Sequence, residues 1–285
     1  MSERRRPTAR TYLVLGWPVL MLGVFFLGPL MTMVASSFYR RIPGGFYVPA
    51  FELDSYRRLF TDLFLDRAAF SLVVCLLAAA VCLLIAFPFT YFLTRMRRRP
   101  QVILLVLVLS ALSLSEVIVG FSWSVLLGRA AGLSNILVWA GVMREAQAYQ
   151  PGFVAVVFGL CYIAFPYCVL TLYPQLSRLD REVTEAAQTL GASPGRTFRT
   201  VVIPIMRPTA MAAFLLVFVF TLGSYLIPAI LGRPEHWTLS VFISDQASFN
   251  ANVPFAAAMA MFLTVLSLIL VGLVMLTESK TRRVA

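Results

Sequence analysis

Apolar residues in this chain gather in long blocks, not in the two-residue alternation of a half-buried strand or the narrow stripe of a surface helix. The blocks cover residues 12–36, 68–94, 102–127, 153–176, 208–231 and 255–277. A bilayer core needs roughly 20 consecutive apolar residues per helical crossing, and each block meets that length. The pattern predicts an all-α integral membrane protein with six transmembrane helices. Pro18, Pro29, Pro88 and Pro166 fall inside the blocks. Prolines are tolerated there because neighbouring helices and water can satisfy the freed backbone groups. The basic head before the first block has the look of a signal peptide, but the block is too long and no small-residue cleavage site closes it. It reads as an uncleaved first helix.

Composition agrees with the pattern. Of the 285 residues, 60% are hydrophobic and 13% charged, too little polar surface for a water-soluble domain. The net charge of +11 would suit a nucleic-acid binder, but its placement excludes that reading, because the basic residues sit in the short segments between blocks. Six crossings put both termini on one side. That side carries Arg4, Arg5, Arg6, Arg10, the run at Arg95 and 97–99, Arg178, Arg181, Arg196, Arg199, Arg207, Lys280, Arg282 and Arg283. The other carries half as many, among them Arg40, Arg57, Arg144 and Arg233. The richer side is cytoplasmic. The expectation is a multi-pass protein of a bacterial inner membrane with both termini inside. Segments 37–67, 128–152 and 232–254 are then outside, and 95–101 and 177–207 inside. Residues 1–67 form a tail, first helix and outer loop, 68–277 the main transmembrane domain, and 278–285 a cytoplasmic tail.

Cys75, Cys82, Cys161 and Cys168 all lie within blocks, in two pairs spaced seven apart, and read as small buried hydrophobes. His236, the lone histidine, reads as a solvated loop residue. No metal-ligand set, catalytic triad or cofactor site is expected. A phosphate-binding loop is excluded as well: Lys280 is the one lysine, and no glycine-rich run precedes it. The chain therefore does not hydrolyse ATP by that route.

The inner segment SRLDREVTEAAQTLGASPGRTFRTVVIPIMRP, residues 177–208, carries the most information. Asp180 can cap a helix over 181–190, and Gly191 fits the left-handed position that ends many helices. Ser193 and Pro194 can start another, because serine caps and proline at the first position loses no hydrogen bond. Pro204 is expected to end or kink it. The result is a helix–glycine–helix elbow. Its first helix presents Glu185 beside Ala186 and Ala187, small residues over which a partner surface can approach closely. Physics alone leaves open a docking element or a solvated connector.

Glu185, Ala186, Ala187, Gly191, Val201, Ile203 and Pro204 keep a long spacing that resembles the EAA loop of permease subunits in ATP-binding-cassette importers. Valine and isoleucine stand where isoleucine and leucine are commoner. The likeness extends to LDSYRRLFTD at 53–62, LLG and GLSN at 126–128 and 132–135, and GSYLIPAILG at 223–232, which resemble the spermidine/putrescine branch. It implies the type I importer permease fold, with the loop as a coupling helix before the fifth transmembrane helix. It also implies a second permease subunit, a cytoplasmic ATPase dimer, an external solute-binding protein and surrounding membrane lipid as partners, and a small solute such as spermidine or putrescine as substrate. Other small molecules travel through the same branch.

Glu116 is the one carboxylate in the middle of a block, and an ionisable residue there is a functional hypothesis by default. A carboxylate suits a cationic solute. Trp123 and Tyr225 are aromatic candidates for stacking on a cation. The plainer alternative is that Glu116 lies near the outer end of the path or pairs with an arginine, and that the two aromatics are interface anchors or packing residues. A secondary transporter or channel without an ATPase is the rival class. It would be expected to repeat paired charges or broken helices in two halves, and the sequence has one central carboxylate and no such repeat. An assembly protein without transport is a further alternative.

Overall fold

The computed structural model describes residues 9–42, 45, 47–129 and 132–282. The expected Arg4, Arg5, Arg6 and Arg283 lie outside the described residues. The described chain is almost wholly helical, and its one β feature is an isolated antiparallel bridge between Arg40 and Val48. Five helical runs are long and apolar enough to cross a bilayer: Gly16–Ser37, Asp62–Arg95, Phe153–Ser177, Pro194–Gly223 and Val253–Gly272. A sixth comes from a bent pair, Arg98–Ser113 with Glu116–Leu126, turned through 102°.

The chain begins with α1 (Ala9–Leu22) and α2 (Gly28–Ser37), joined through a π-helical turn at Gly23–Leu27. The wide turn ends just before Pro29. Proline lacks an N–H, and its ring clashes with the carbonyl four residues earlier, so a widened turn relieves both problems. After α2 come α3 (Asp54–Arg57) and α4 (Asp62–Arg95), the longest helix, which carries Pro88. The segment after α2 is tied down locally. Tyr56 Oη lies 2.7 Å from Ser37 Oγ, Phe38 stacks on Phe51 at 5.0 Å, and Arg58 pairs with Asp54 at 2.9 Å.

The third block departs from expectation. It is not one helix over 102–127 but α5 (Arg98–Ser110), a 3-10 turn at Ala111–Ser113, and α6 (Glu116–Leu126). Ser115 starts α6 by accepting a hydrogen bond from the Val117 amide at 3.3 Å. α7 (Leu133–Trp139) follows, then α8 (Phe153–Ser177), which holds both Pro166 and Pro174. After α9 (Arg181–Thr189) and α10 (Pro194–Thr197), a second π turn at Phe198–Val202 leads into α11 (Ile203–Gly223). Pro204 therefore does not end the helix: the wide turn ahead of it lets the helix run on. The fifth block breaks at Ser224–Tyr225, and α12 (Leu226–Leu231) is a separate short helix. Then come α13 (Leu239–Ser248) and α14 (Val253–Arg282).

The chain divides into two compact units. One combines the residues up to Phe64 with 243–265, and the other 65–242 with those from Leu266 onward. In the first, Arg41 donates to the Asn250 carbonyl at 2.7 Å and Phe64 meets Phe262 edge-on at 5.1 Å. In the second, α12 packs against both α6 and α8. Two glycines permit this. A Cβ on Gly159 of α8 would stand 2.7 Å from both Ile227 and Leu231, and one on Gly120 of α6 would stand 2.7 Å from the tip of Ile230. Val74, Ala78, Val119, Val156, Leu160, Ile227 and Leu231 close the core around them.

Cys75, Cys82 and Cys168 are fully buried, as expected of small hydrophobes. The Cys161 thiol donates to the Ala78 carbonyl at 3.4 Å. Among the described residues no three histidine, cysteine or acidic groups converge on a metal position. His236 corrects the sequence reading. Its side chain is only 21% exposed: its ring lies 6.0 Å from Phe70 and 6.4 Å from Phe153, and its Nδ1 is buried.

Candidate functional site: the coupling elbow and the broken helices

The elbow forms as its sequence dictates. Asp180 caps α9 by accepting from the Glu182 amide at 3.0 Å. At the other end, the Gly191 amide donates to the Gln188 carbonyl at 2.9 Å and the Ala192 amide to the Ala187 carbonyl at 3.1 Å. Two such bonds folding back over a left-handed residue make a Schellman ending, and Gly191 has φ +85°. Ser193 then caps α10, accepting from the Arg196 amide at 3.3 Å, with Pro194 in its first turn. Three residues separate Thr189 from Ser193, and the amide of each donates back into α9, Leu190 to the Ala186 carbonyl at 3.2 Å.

The two faces of α9 differ. Thr184 is buried, its hydroxyl turned back onto the Arg181 carbonyl at 2.8 Å. Glu185 and Ala186 are exposed, and Ala187 is half-buried. Leu190, which the sequence reading passed over, is 89% exposed beside them, and Val183 is exposed as well. An outward surface of one acid, two alanines and two aliphatic side chains is apolar for a helix that ends in water. The hint was present in the sequence, since Leu190 directly precedes the glycine and has no helical partner to cover it. Val201 is half-buried in the π turn, while Ile203 and Pro204 are exposed at the start of α11. These three lie at the junction of the π turn and α11, a different place from the outward face of Glu185.

Below the elbow, Phe198 fits between Phe87 at 5.6 Å and Tyr91 at 5.1 Å. The Arg95 guanidinium lies 5.3 Å over the Tyr91 ring. This aromatic stack joins the π turn to the last turns of α4.

The other candidates lie around the breaks. Glu116 is half-buried in the first turn of α6, where the helix dipole favours a carboxylate. Trp123 stands seven residues on, two turns along the same face. Its ring meets Tyr162 at 5.7 Å and Phe158 at 6.5 Å. Trp123 and Tyr162 line a cavity of about 480 Å³ with Phe89, Phe158 and Phe165. Tyr225 lies in the break before α12 and is 38% exposed. The structure groups Trp123 with the aromatics of α8, while Tyr225 belongs to the second break.

The chain thus combines broken helices around a short α12 with a capped elbow before α11. A family model for binding-protein-dependent transport system inner membrane components matches residues 135–283. The chain belongs to this family, the membrane permease subunits of ABC importers. It is 30% identical over 270 residues to the spermidine/putrescine transport system permease protein PotB of Escherichia coli, covering 95% of each chain. It is 25% identical to the inner membrane ABC transporter permease protein YdcU of the same organism, over 94% of this chain and 88% of that one. A subunit of a bacterial alginate ABC transporter, solved in complex with an alginate pentasaccharide-bound periplasmic protein, superposes with TM-score 0.75. At 16% identity, covering 96% of this chain and 94% of that one, it shares the fold. The all-α type I permease fold expected from the sequence is the fold of this chain, a multi-pass inner-membrane protein with a transport role and no catalytic one.

Proposed function

We propose that the chain is one of two permease subunits in a polyamine importer, forming half of the path for spermidine, putrescine or a close relative. The observation that supports this most is the 30% identity, over 95% of both chains, to a permease named for those substrates. Residues 1–67 contribute the tail, first helix and outer loop, 68–277 the transport domain, and 278–285 a tail. Both termini and the elbow face the cytoplasm, in keeping with the arginine asymmetry. An external binding protein delivers the solute, and a cytoplasmic ATPase dimer receives the elbow through Glu185, Ala186, Ala187 and Gly191. Val201, Ile203 and Pro204 hold the elbow to α11. When the ATPases close on nucleotide, the elbow moves with them, and the Phe87–Phe198–Tyr91 stack carries the motion into α4. Lipid surrounds the rest.

Glu116, Trp123 and Tyr225 are proposed to line the solute path. A carboxylate attracts an ammonium group, and aromatic faces hold cations with about 0.5–2 kcal/mol each. Relatives named for other solutes, such as the 36%-identical 89-residue match to a probable sulfate transport system permease of Nephroselmis olivacea, favour a second reading: the same architecture with another small substrate.

Uptake of labelled spermidine and putrescine separates the two. Cells lacking other polyamine importers, given this chain with its partner subunits, should accumulate polyamine, and Glu116→Gln should slow accumulation without loss of assembly. Absent uptake of both amines, with uptake of another solute through the same complex, would discard the polyamine assignment. Single cysteines at Arg196, Arg57 and His236, in a cysteine-free background, test the topology. An impermeant reagent should label the last two from outside, and labelling at Arg196 in sealed cells would reverse the model.

A further inference from the structure

We propose that the basic cavity between the elbow and the end of α4 is a binding site for the phosphate headgroup of an anionic phospholipid. The inference rests on the cytoplasmic placement of the elbow proposed above. The cavity has a volume of about 1000 Å³. Arg95, Arg181, Arg196 and Arg199 line it with Glu185 as the one acid, a formal charge of +3. Among the described residues, none of the four arginines stands in an ion pair. Arg95 is the most pointed case. Its Nη2 is buried with no hydrogen-bond partner, and its other contact is the Tyr91 ring. A guanidinium presents a planar fork of donors that matches phosphate oxygens, so an unfilled, sheltered donor among three more arginines calls for an anion with several acceptors.

The shape of the lining identifies the kind of anion. One part of the wall is apolar, made by Pro88, Tyr91 and Phe92 of α4 with Phe198 of the π turn. Phe92 is 61% exposed three residues before the end of α4, a long apolar helix that can cross a bilayer. On the elbow side it is basic and polar. The first turn of the long helical run from Pro194 also lines the cavity, and its dipole adds to the attraction for negative charge. A site with an apolar wall toward the bilayer and a cationic rim toward water matches a molecule with a phosphate head and a hydrocarbon body. Basic pockets between transmembrane helices on the cytoplasmic side hold anionic lipids by this combination. A free phosphate would use the rim and leave the aromatic wall bare. Because the elbow is one wall of the cavity, a lipid seated there would make the position of the coupling surface sensitive to the acidity of the inner leaflet.

The full-length chain, purified in a mild uncharged detergent, tests this by native mass spectrometry and thermophoresis with dioctanoyl phosphatidylglycerol. Dioctanoyl phosphatidylcholine, inorganic phosphate and ATP serve as comparisons. A micelle exposes both faces, so the result does not depend on the orientation of the chain, which the cysteine labelling reports separately. Phosphatidylglycerol should bind at least tenfold more tightly than phosphatidylcholine, and phosphate or ATP should not displace it at equal concentration. Arg95→Gln and Arg199→Gln should each weaken it about fivefold, as one basic contact near a membrane surface predicts. Arg95→Lys, which keeps the charge and the fold, should weaken it less, and the outer-segment Arg144→Gln should leave it unchanged. Equal binding of the two lipids, indifference to the Arg95 and Arg199 changes, or equal displacement by phosphate or ATP would overturn the proposal. So would loss of ATPase co-purification in the arginine variants without any lipid preference, which would make the cavity a protein contact.

Discussion

The elbow between α9 and α10 and the 102° bend between α5 and α6 turn the chain by different means, and the difference follows from their surroundings. The elbow ends in water. It can use a left-handed glycine, two side-chain caps and an exposed leucine, because any backbone group left over can bond to solvent. The second bend lies within an apolar block, where unpaired backbone groups are costly. It has no glycine. A tightened 3-10 turn keeps the chain bonded, with the Leu114 amide on the Ala111 carbonyl at 3.3 Å. Ser115 then supplies the acceptor that α6 needs at its start. One bend is made by a residue that tolerates an unusual backbone, the other by hydroxyls that replace missing partners.

That contrast predicts which changes each region tolerates. The largest effect is expected at Gly191. A β-branched residue at φ +85° is strained by about 1–2 kcal/mol, enough to tilt α9 against α10. Gly191→Val should reach the membrane yet lose roughly tenfold or more of ATP-dependent uptake in vesicles, with weaker ATPase co-purification. Gly191→Asn, which tolerates the left-handed region, should retain most activity. Equal uptake in both variants would show that the elbow does not depend on its backbone geometry. Glu185→Lys and Ala187→Leu should reproduce the Val phenotype without touching that geometry.

Next in size is the packing behind the breaks. A side chain at Gly159 meets two buried residues at once, so Gly159→Val should destabilise the detergent-solubilised protein by about 1–3 kcal/mol, read as a lower Tm. Gly120→Ala meets the movable end of Ile230 and should be several times milder. Equal Tm losses would mean that α12 is held by something other than the close approach to α8.

The serine cap comes third. Ser115→Ala should cost about 1 kcal/mol, and Ser115→Asp should restore it, because an acid at a helix start serves the same amide. If the loss is absent, Glu116 in the first turn already satisfies the helix end, and its proposed role toward solute weakens accordingly.

Much of the elbow was legible because its rules are local. Asp180, Gly191, Ser193 and Pro194 each act on backbone groups within a few residues, so identity and spacing suffice. The breaks at 111–115 and 224–225 were not read, because an apolar block hides them. Ser115 followed by Glu116 was a helix-start signal, but inside a block of crossing length it looked like a carboxylate stranded in mid-membrane. Ser224 gives less warning still: α12 separates from α11 to fill the space beside Gly120 and Gly159, a tertiary demand that no neighbouring residue announces. His236 was misjudged for the same reason, since Phe70 and Phe153 reach it from distant parts of the chain.

The smallest effect belongs to the segment between α2 and α3. Arg40 Nε donates to Glu52 at 2.6 Å. That bond and the guanidinium charge hold the Glu52 carboxyl below its usual range and raise Arg40. A depressed carboxyl stabilises the fold above its ordinary pKa, and the contribution is lost as pH falls through the lower folded value. Because the pair lies at the surface, with the Arg40 side chain 65% exposed, unfolding curves of wild type and Glu52→Gln should differ slightly at neutral pH and converge in strong acid. A difference that grows on acidification would reverse the sign of the interaction.

The two π turns have a geometric consequence. An α-helix advances 100° per residue, so one residue too many in a turn rotates everything beyond it by that angle. Residues before Phe198 and after Val202 that counting in steps of 3.6 assigns to one side of a cylinder therefore point about a quarter-turn apart. The outward direction of Glu185 cannot be counted back from the faces of α11. Deleting one residue between 198 and 202 would leave a helix of ordinary pitch with every side chain chemically intact, and would aim the elbow at the wrong bearing.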